Sequence, residues 1–328
     1  MTQVKQLHAL TNWSVREASI PTDAQEIVDI VGVYDSEPIE VGEFVRLYRE
    51  WDENDPRSRL VAFESDGIIG TAHVRRRAAM TQGLFFLNLY VRPENCRCGV
   101  GSGLLKLGED FARGHSATHI VAFAHESCPH SRGFAESRGY VLERHIFESV
   151  LNISKVDMRG GSQLRTEAEH AGYKIQSLAD AGWNEDSKRR LYEIISECDL
   201  DEPATQTLGG ISYNDFLRDV VNAAWFRPEG VFVAMRGKEW AGVHTIGPLD
   251  GSQTADATTD FTGVRRPHRG RNLGKTLKWA GIDYVRKLGR TKVMTHNDST
   301  NRHMLAINDA MGFERRPGMY LMKKALIS

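Results

Sequence analysis

Hydrophobic and polar positions along the chain change period several times, and each change marks an element. Residues 13–18 alternate as a half-buried strand does, residues 23–31 carry apolar side chains at helical spacing, and a second helical pattern runs over 41–51. Two alternating runs, 59–64 and 68–76, meet at Asp66-Gly67, a strong hairpin turn. A strand at 84–90 leads through a glycine-containing turn into a helix. A strand at 119–124, a helix at 132–137 and a closing pair of strands within 140–153 follow. Residues 157–171, with Arg159-Gly160-Gly161-Ser162, are polar, break the pattern and read as a linker. The pattern restarts at 173–178, with helices near 187–195 and 213–221 and a hairpin over 231–246 that turns at Arg236-Gly237-Lys238. A strand at 258–264, a helix, a strand at 292–295, a helix at 301–311 and a last strand at 319–323 complete it. Strand order and helix placement predict the α/β class, with a mixed sheet of the α+β kind.

The second half repeats the first. Val91 and Val264, Gly101 and Gly274, and Leu104 and Leu277 are each 173 positions apart (264 − 91, 274 − 101, 277 − 104), and Gly139-Tyr140 and Gly312-Phe313 keep that offset. Upstream, Val61-Ala62 and Val233-Ala234, and Gly70 and Gly242, stand 172 apart (242 − 70), so one insertion separates the third and fourth strands. Agreement over so long a span predicts two consecutive copies of one domain, 1–156 and 172–328, joined by 157–171.

Composition narrows the classes. A length of 328 residues allows two cores, and 41% hydrophobic with 26% charged residues is ordinary for a soluble globular chain. Forty-two basic against 43 acidic residues leave a formal charge of −1, with no overall pull toward nucleic acid or an acidic membrane. No run approaches the roughly 20 apolar residues that span a bilayer, and the first residues do not lead into a signal-peptide core, so a cytoplasmic location is expected. Cys96, Cys98, Cys128 and Cys198 lack disulfide-framework spacing, which predicts reduced thiols.

The basic residues gather instead at the two strand-to-helix turns. In the second copy Val264 ends a strand, and Arg269, Gly270, Arg271, Asn272, Leu273, Gly274 and Lys275 carry the chain into a helix. The first copy does the same with Val91, Arg97, Cys98, Gly99, Val100, Gly101 and Ser102. The first amides of a helix have no intrahelical acceptor and sit at its positive end, so such a turn suits a pyrophosphate, and glycine permits close backbone approach. A dinucleotide fingerprint would need Gly-x-Gly-x-x-Gly at a first strand and an acidic residue about 20 positions on, a context that neither turn has.

These motifs resemble the GNAT superfamily of acyl-CoA-dependent N-acyltransferases, whose cradle is Arg/Gln-x-x-Gly-x-Gly/Ala after a strand ending in Val and whose downstream motif is Asn, a helix, then Gly-Phe. In tandem form the chain resembles two-domain members such as the mycothiol synthases. In the second copy Arg269 opens the cradle, Gly274 closes it, Asn301 begins the helix and Gly312-Phe313 ends it, while Asn272 replaces the first family glycine. The first copy keeps Gly99 and Gly101 but has Cys96 in place of the Arg, Cys128 in place of the Asn and Ala135 where many members place a Tyr acid, a position that holds Asn308 in the second copy. The resemblance implies transfer of an acetyl group from acetyl-CoA to a primary amine of a small molecule in a ternary complex. A monomer or homodimer is expected, with no metal and, given the near-neutral charge, no nucleic-acid or membrane partner. The resemblance also implies a fourth and fifth strand that splay apart to admit pantetheine, with Gly263 permitting a bulge beside Val264.

Compared at offset 173, the second copy holds Asp260, Arg269, Asn301 and Asn308 where the first has Leu87, Cys96, Cys128 and Ala135. Buried polar groups are costly without a task or a partner, so chemistry is expected in the second copy and a silent or structural CoA site in the first. Asp260 is the first candidate for the base, sharing a face with Thr262 and Val264 if no bulge intervenes. His296, whose ordinary pKa is near neutrality, is the alternative. Asn301 suits either a pantetheine or water contact or a helix N-cap, and Asn308 lies inside the helix with no capping role, which favours the cofactor. Cys96, Cys98, Cys128 and His130 do not have a tetrahedral zinc spacing, so no metal is expected. Asp199, Asp201 and Glu202 would suit a cationic amine. A non-catalytic CoA-binding sensor that uses both cradles is the competing class.

Overall fold

The computed structural model describes residues 12–35, 39–77, 81–201, 210–249 and 256–326. In the first half the chain forms β1 (Ser14–Glu17), α1 (Ala24–Gly32), α2 (Val41–Arg49), β2 (Arg57–Glu64), β3 (Gly67–Arg75) and β4 (Leu84–Val91). It continues through α3 (Val100–Gly114), β5 (His119–His125), α4 (Ser131–Glu136) and β6 (Val141–Asn152). The second half runs α5 (Arg159–His170), β7 (Lys174–Ser177), α6 (Leu178–Ala181), α7 (Glu185–Asp199), α8 (Tyr213–Phe216, continuing as a π-helical turn over Leu217–Val221), β8 (Val231–Arg236) and β9 (Glu239–Leu249). It ends with β10 (Ala257–Val264), α9 (Leu273–Lys287), β11 (Lys292–Asp298), α10 (Arg302–Met311) and β12 (Glu314–Ala325).

The repeat is visible in the elements themselves. β4 and β10, α3 and α9, β5 and β11, and β6 and β12 each begin and end 173 residues apart, as in 257 − 84 and 264 − 91. The compact units nevertheless do not follow the repeat: one comprises residues 1–145 with 317–328, the other residues 146–316. In the N-terminal unit the strand order is β1-β2-β3-β4-β5-β12, with β12 antiparallel to β5 from Met319↔His125 to Ala325↔His119. In the C-terminal unit it is β6-β11-β10-β9-β8-β7, with β6 antiparallel to β11 from Asn152↔Lys292 to Ile146↔Asp298. Each copy therefore gives its last strand to the unit built mainly by the other copy.

Two further expectations are corrected. The segment 157–171 is not an irregular linker: 159–170 is helix α5, which sets Leu164 and Ala168 against the C-terminal unit at i, i+4 spacing. Gly161 there reflects close packing, since a Cβ on it would stand 3.1 Å from the Trp279 ring. The closing strand pair over 140–153 is a single twelve-residue strand, β6, consistent with the absence of any turn residue inside it.

Within each unit one helix sets the site. The buried residues of α3, among them Val100, Leu104, Leu105 and Ala112, recur at i+4 and i+8 and cover one face of the N-terminal sheet together with Ala62, Val74 and Leu87. α1 and α2 cover the other face through Ile27, Ile30 and Phe44, which pack on Val61 and Ile68. α9 stands in the place of α3 in the C-terminal unit, with Leu273 and Leu277 buried against Ala234 and Ala241.

Candidate active site

In both units the fourth and fifth strands pair only at their starts. β4 and β5 are in register from Leu84↔His119 to Leu87↔Ala122, after which they no longer pair with each other, and β10 and β11 part after Thr259↔Thr295. Backbone groups beyond that point lie along a wedge rather than a ladder. At the end of the wedge each cradle makes the same turn. Arg97 (φ 64°) and Gly99 (φ 85°) are left-handed in the first, and Gly270 (φ 74°) and Asn272 (φ 58°) in the second, at corresponding positions (270 − 97 and 272 − 99 are both 173). The turn requires two left-handed residues, and each copy gives glycine to one of them. Asn272 is the residue type that tolerates this region best after glycine.

The first cradle opens onto a cavity of about 430 Å³, lined on one side by Leu89, Tyr90 and Val91 and on the other by Ala122, Phe123 and Ala124. Arg97, Gly99, Gly101 and Ser102 line its phosphate end, with Cys96, Cys128 and His130 nearby. Val100 is buried at the start of α3, where the first-turn amides lack intrahelical acceptors. Trp13 fixes the turn from below: its Nε1 donates to the Cys98 carbonyl at 3.2 Å, and a Cβ on Gly103 would stand 2.5 Å from its ring. Arg138 reaches into the same end, stacked 3.8 Å over Phe134 and donating to Ser102 Oγ at 2.6 Å. Deeper in the wedge Tyr34, Tyr90 and His125 form a triangle, with ring centroids 5.9, 6.0 and 6.4 Å apart. The Tyr34 hydroxyl donates to the Val91 carbonyl at 2.5 Å. Burial, then the neighbouring Cys96 thiol, raises the Tyr34 pKa well above that of an ordinary phenol, and burial with the nearby Asp35 carboxylate raises that of Tyr90.

Sequence reasoning missed Tyr34, Tyr90, His125 and Arg138. A signal was present at three of them, because at offset 173 Tyr90, His125 and Arg138 face Gly263, Asp298 and Met311.

The second cradle is differently occupied. Arg269 donates through Nε to the Val264 carbonyl at 2.8 Å and is ion-paired with Asp201 at 2.5 Å, which also holds Arg266 at 2.5 Å. Those two guanidiniums hold the Asp201 carboxyl well below the usual carboxylate range. Arg271 is exposed, Lys275 is half-buried, Leu273 is buried, and a Cβ on Gly274 would make ordinary contact with Ile307 and Val264 at 3.7 Å. Glu202 lies outside the described residues.

Behind this cradle runs a buried polar string. Lys278, 1% exposed, donates to Asn308 Oδ1 at 2.7 Å. The Asn308 amide donates to Asn297 Oδ1 at 2.5 Å, and the Asn297 amide to Ser149 Oγ at 2.9 Å. Burial pulls the Lys278 pKa down to about 7. Asn308, expected at the cofactor, commits both ends of its amide to this string. Asn301 accepts from Met304 N at 3.1 Å as an N-cap.

A bulge does intervene in β10, with register shifts between Ala257 and Phe261 and none at Gly263. Gly263 answers instead to close packing, a Cβ there lying 2.6 Å from Cys198. As a result Asp260 leaves the face of Thr262 and Val264. Thr262 bonds His244 at 2.8 Å, while Asp260 accepts from Thr245 at 3.2 Å on the opposite face of β9. His296, on the face opposite Asn297, has Glu148 3.9 Å from its Nε2.

The comparisons with known proteins agree with this geometry. The model of the acetyltransferase (GNAT) family matches residues 24–140 and again 188–313. The mycothiol acetyltransferase of Kocuria rhizophila is 26% identical over 267 residues, 78% of this chain and 80% of that protein. That of Parafrankia sp. is 26% identical over 274 residues, with 78% and 80% covered. Among solved structures, a tandem GNAT protein from the clavulanic acid biosynthesis pathway superposes with a TM-score of 0.70 at 18% identity, covering 96% of this chain and 99% of that one. The chain belongs to the GNAT acetyltransferase family, as a tandem member with two such domains, and is an acyl-CoA-dependent N-acetyltransferase. Among the described residues, no helix is long and apolar enough to cross a membrane.

Proposed function

We propose that the chain moves the acetyl group of acetyl-CoA to the primary amine of a small molecule by direct attack in a ternary complex, and that transfer takes place in the N-terminal unit. The observation that carries this reading is the coincidence there of a phosphate cradle, a splayed strand pair and an open cavity of about 430 Å³. The first-turn amides of α3, with Arg97 and Arg138, would hold the pyrophosphate. The edge of β4 that faces β5 beyond Leu87, unpaired there while the other edge stays on β3, would pair with pantetheine. Acetyl-CoA supplies the activated thioester. Attack forms a nitrogen–carbon bond as the carbon–sulfur bond breaks, and the amine must lose a proton while the sulfur gains one. His125, beside Tyr34 and Tyr90 in the wedge, would take the first. Tyr34 and Tyr90, phenols that carry their protons at neutral pH and stand in the wedge, would supply the second. The relatives' name, mycothiol acetyltransferase, supports a small-molecule acceptor.

A second reading places transfer in the C-terminal unit, with Asp260 as base and His296 as its alternate. It is favoured by their shared exposure where β10 and β11 part. Equivalent substitutions separate the two, since Ser102 and Lys275 correspond at offset 173 (275 − 102). A glutamate in the first turn of a helix is compatible with the helix dipole but repels a pyrophosphate. Thiol release from acetyl-CoA with a panel of amines should be abolished in Ser102→Glu and retained in Lys275→Glu. The reverse result would move the chemistry to the C-terminal unit.

A further inference from the structure

On the other side of the N-terminal sheet, β2 and β3 carry basic residues at alternate positions, Arg57 and Arg59, then His73 and Arg75, with Arg77 just past the end of β3. Residues two apart share a face of a strand. The register sets Arg57 opposite Arg75, Arg59 opposite His73, and His73 opposite Asn88 of β4. Like charges directly opposed across a ladder destabilise a sheet, and burial aggravates the cost. Burial, followed by the neighbouring guanidiniums, pushes Arg59 down to about 9 and Arg75 to about 10, and drives His73 well below its ordinary value.

No carboxylate among the described residues pairs with Arg57, Arg59 or Arg75. Arg57 lies 3.9 Å over the Tyr48 ring and donates to the Tyr48 carbonyl at 2.7 Å. Arg75 donates to Asn88 Oδ1 at 2.6 Å. Arg59 and Arg75 both donate to His73 Nδ1, at 2.7 and 3.3 Å, so the imidazole is neutral and carries its proton on Nε2. That nitrogen and Arg59 Nε are both buried and have no acceptor, and His73 is only 8% exposed. These residues line a cavity of about 240 Å³ together with Trp51 and Tyr48, and no Asp or Glu is among its described lining residues. Tyr90 lines both this cavity and the cofactor cleft. The fold does not require the cations, because at offset 172 (229 − 57) the second copy has Glu229, Val231, Thr245 and Gly247 at the positions of Arg57, Arg59, His73 and Arg75.

We propose that this cavity is the acceptor pocket and takes a primary amine bearing an oxyanion, a carboxylate or a phosphate, which Arg57, Arg59, Arg75 and His73 hold while Trp51 and Tyr48 flank its apolar part and its amino group reaches Tyr90. The assignment to transfer rests on the N-terminal reading of the reaction; the anion site itself does not. A guanidinium cluster with unanswered buried donors gains both a counter-charge and acceptors from such a group.

The test is calorimetric binding to the full chain of two matched pairs: L-phenylalanine with its methyl ester, and O-phosphoethanolamine with ethanolamine. At least one anion should bind ten times more tightly than its neutral partner, and the pair that discriminates names the oxyanion. Arg59→Met and Arg75→Met should each lose at least tenfold of that affinity, and Arg59→Met should raise the Tm of the unliganded protein by removing a buried guanidinium that no carboxylate answers. If neither anion is preferred, or if Arg59→Met lowers Tm and leaves anion affinity unchanged, the arginines are structural and the proposal falls. Anion binding that persists while Ser102→Glu leaves acetyl transfer intact would sink the N-terminal transfer reading and leave the anion site standing.

Discussion

Lys278 is a lysine buried in the core of the C-terminal unit. It falls on the buried side of α9, within the stripe that includes Leu277, Ile282 and Val285. Its ammonium is desolvated there and answered by one amide oxygen, so its pKa drops from 10.5 to about 7. Between those values the folded protein holds a neutral amine while the unfolded chain still binds a proton. Stability therefore rises with pH through that window, and the penalty is complete below about pH 7, on the order of a few kcal/mol. Denaturant midpoints measured between about pH 7 and 9 should climb in the wild type, with that climb lost in Lys278→Met. Methionine leaves Asn308 Oδ1 without its donor, so the slope is the diagnostic, not the absolute midpoint. The rarity of buried lysine made this position unreadable from sequence, whereas the left-handed Gly99 and Gly270 were legible because turns of this kind select glycine.

At the scale of elements, strands, helices and the cradles followed from periodicity and from the family motif, and their boundaries agree across the repeat. Departures came from features without a local signature. The β10 bulge turns Asp260 away from Thr262, and α5 hides Gly161, which close packing against Trp279 requires. The C-terminal cradle is held by an ion-pair bridge in which Asp201, from beyond the end of α7, binds Arg266 and Arg269. Exposed pairs of this kind are weak and easily exchanged for another partner. Asp201→Asn, in a Ser102→Glu background that silences the first cradle, should therefore tighten CoA binding at the second by about two- to fivefold. Calorimetry that shows no change would mean the bridge does not compete with the cofactor.

For the whole molecule the exchange of closing strands matters most. Residues 317–326 complete the N-terminal unit: Leu321 and Met322 are fully buried, and Lys324 pairs with the buried Glu109 at 2.8 Å. A fragment of residues 1–156 should therefore fail to unfold cooperatively, since it leaves an unpaired edge at β5 and an uncovered core. His145 stacks on Tyr320 at 4.7 Å, which places the two ends of this unit together. Residues 1–145 joined directly to 317–328 should recover a single cooperative transition in circular dichroism. Cooperative folding of 1–156 alone would show that the exchanged strand is dispensable.

Periodicity, the offset of 173 and the turn residues specified the class, the duplication, both cradles and the family, because each is written in residues near one another or in self-similarity along the chain. Register and burial are set by side chains far apart in sequence. They alone revealed the cavity at the first cradle, which polar residues satisfy one another in a core, where Arg57, Arg59 and Arg75 converge, and which unit each closing strand completes.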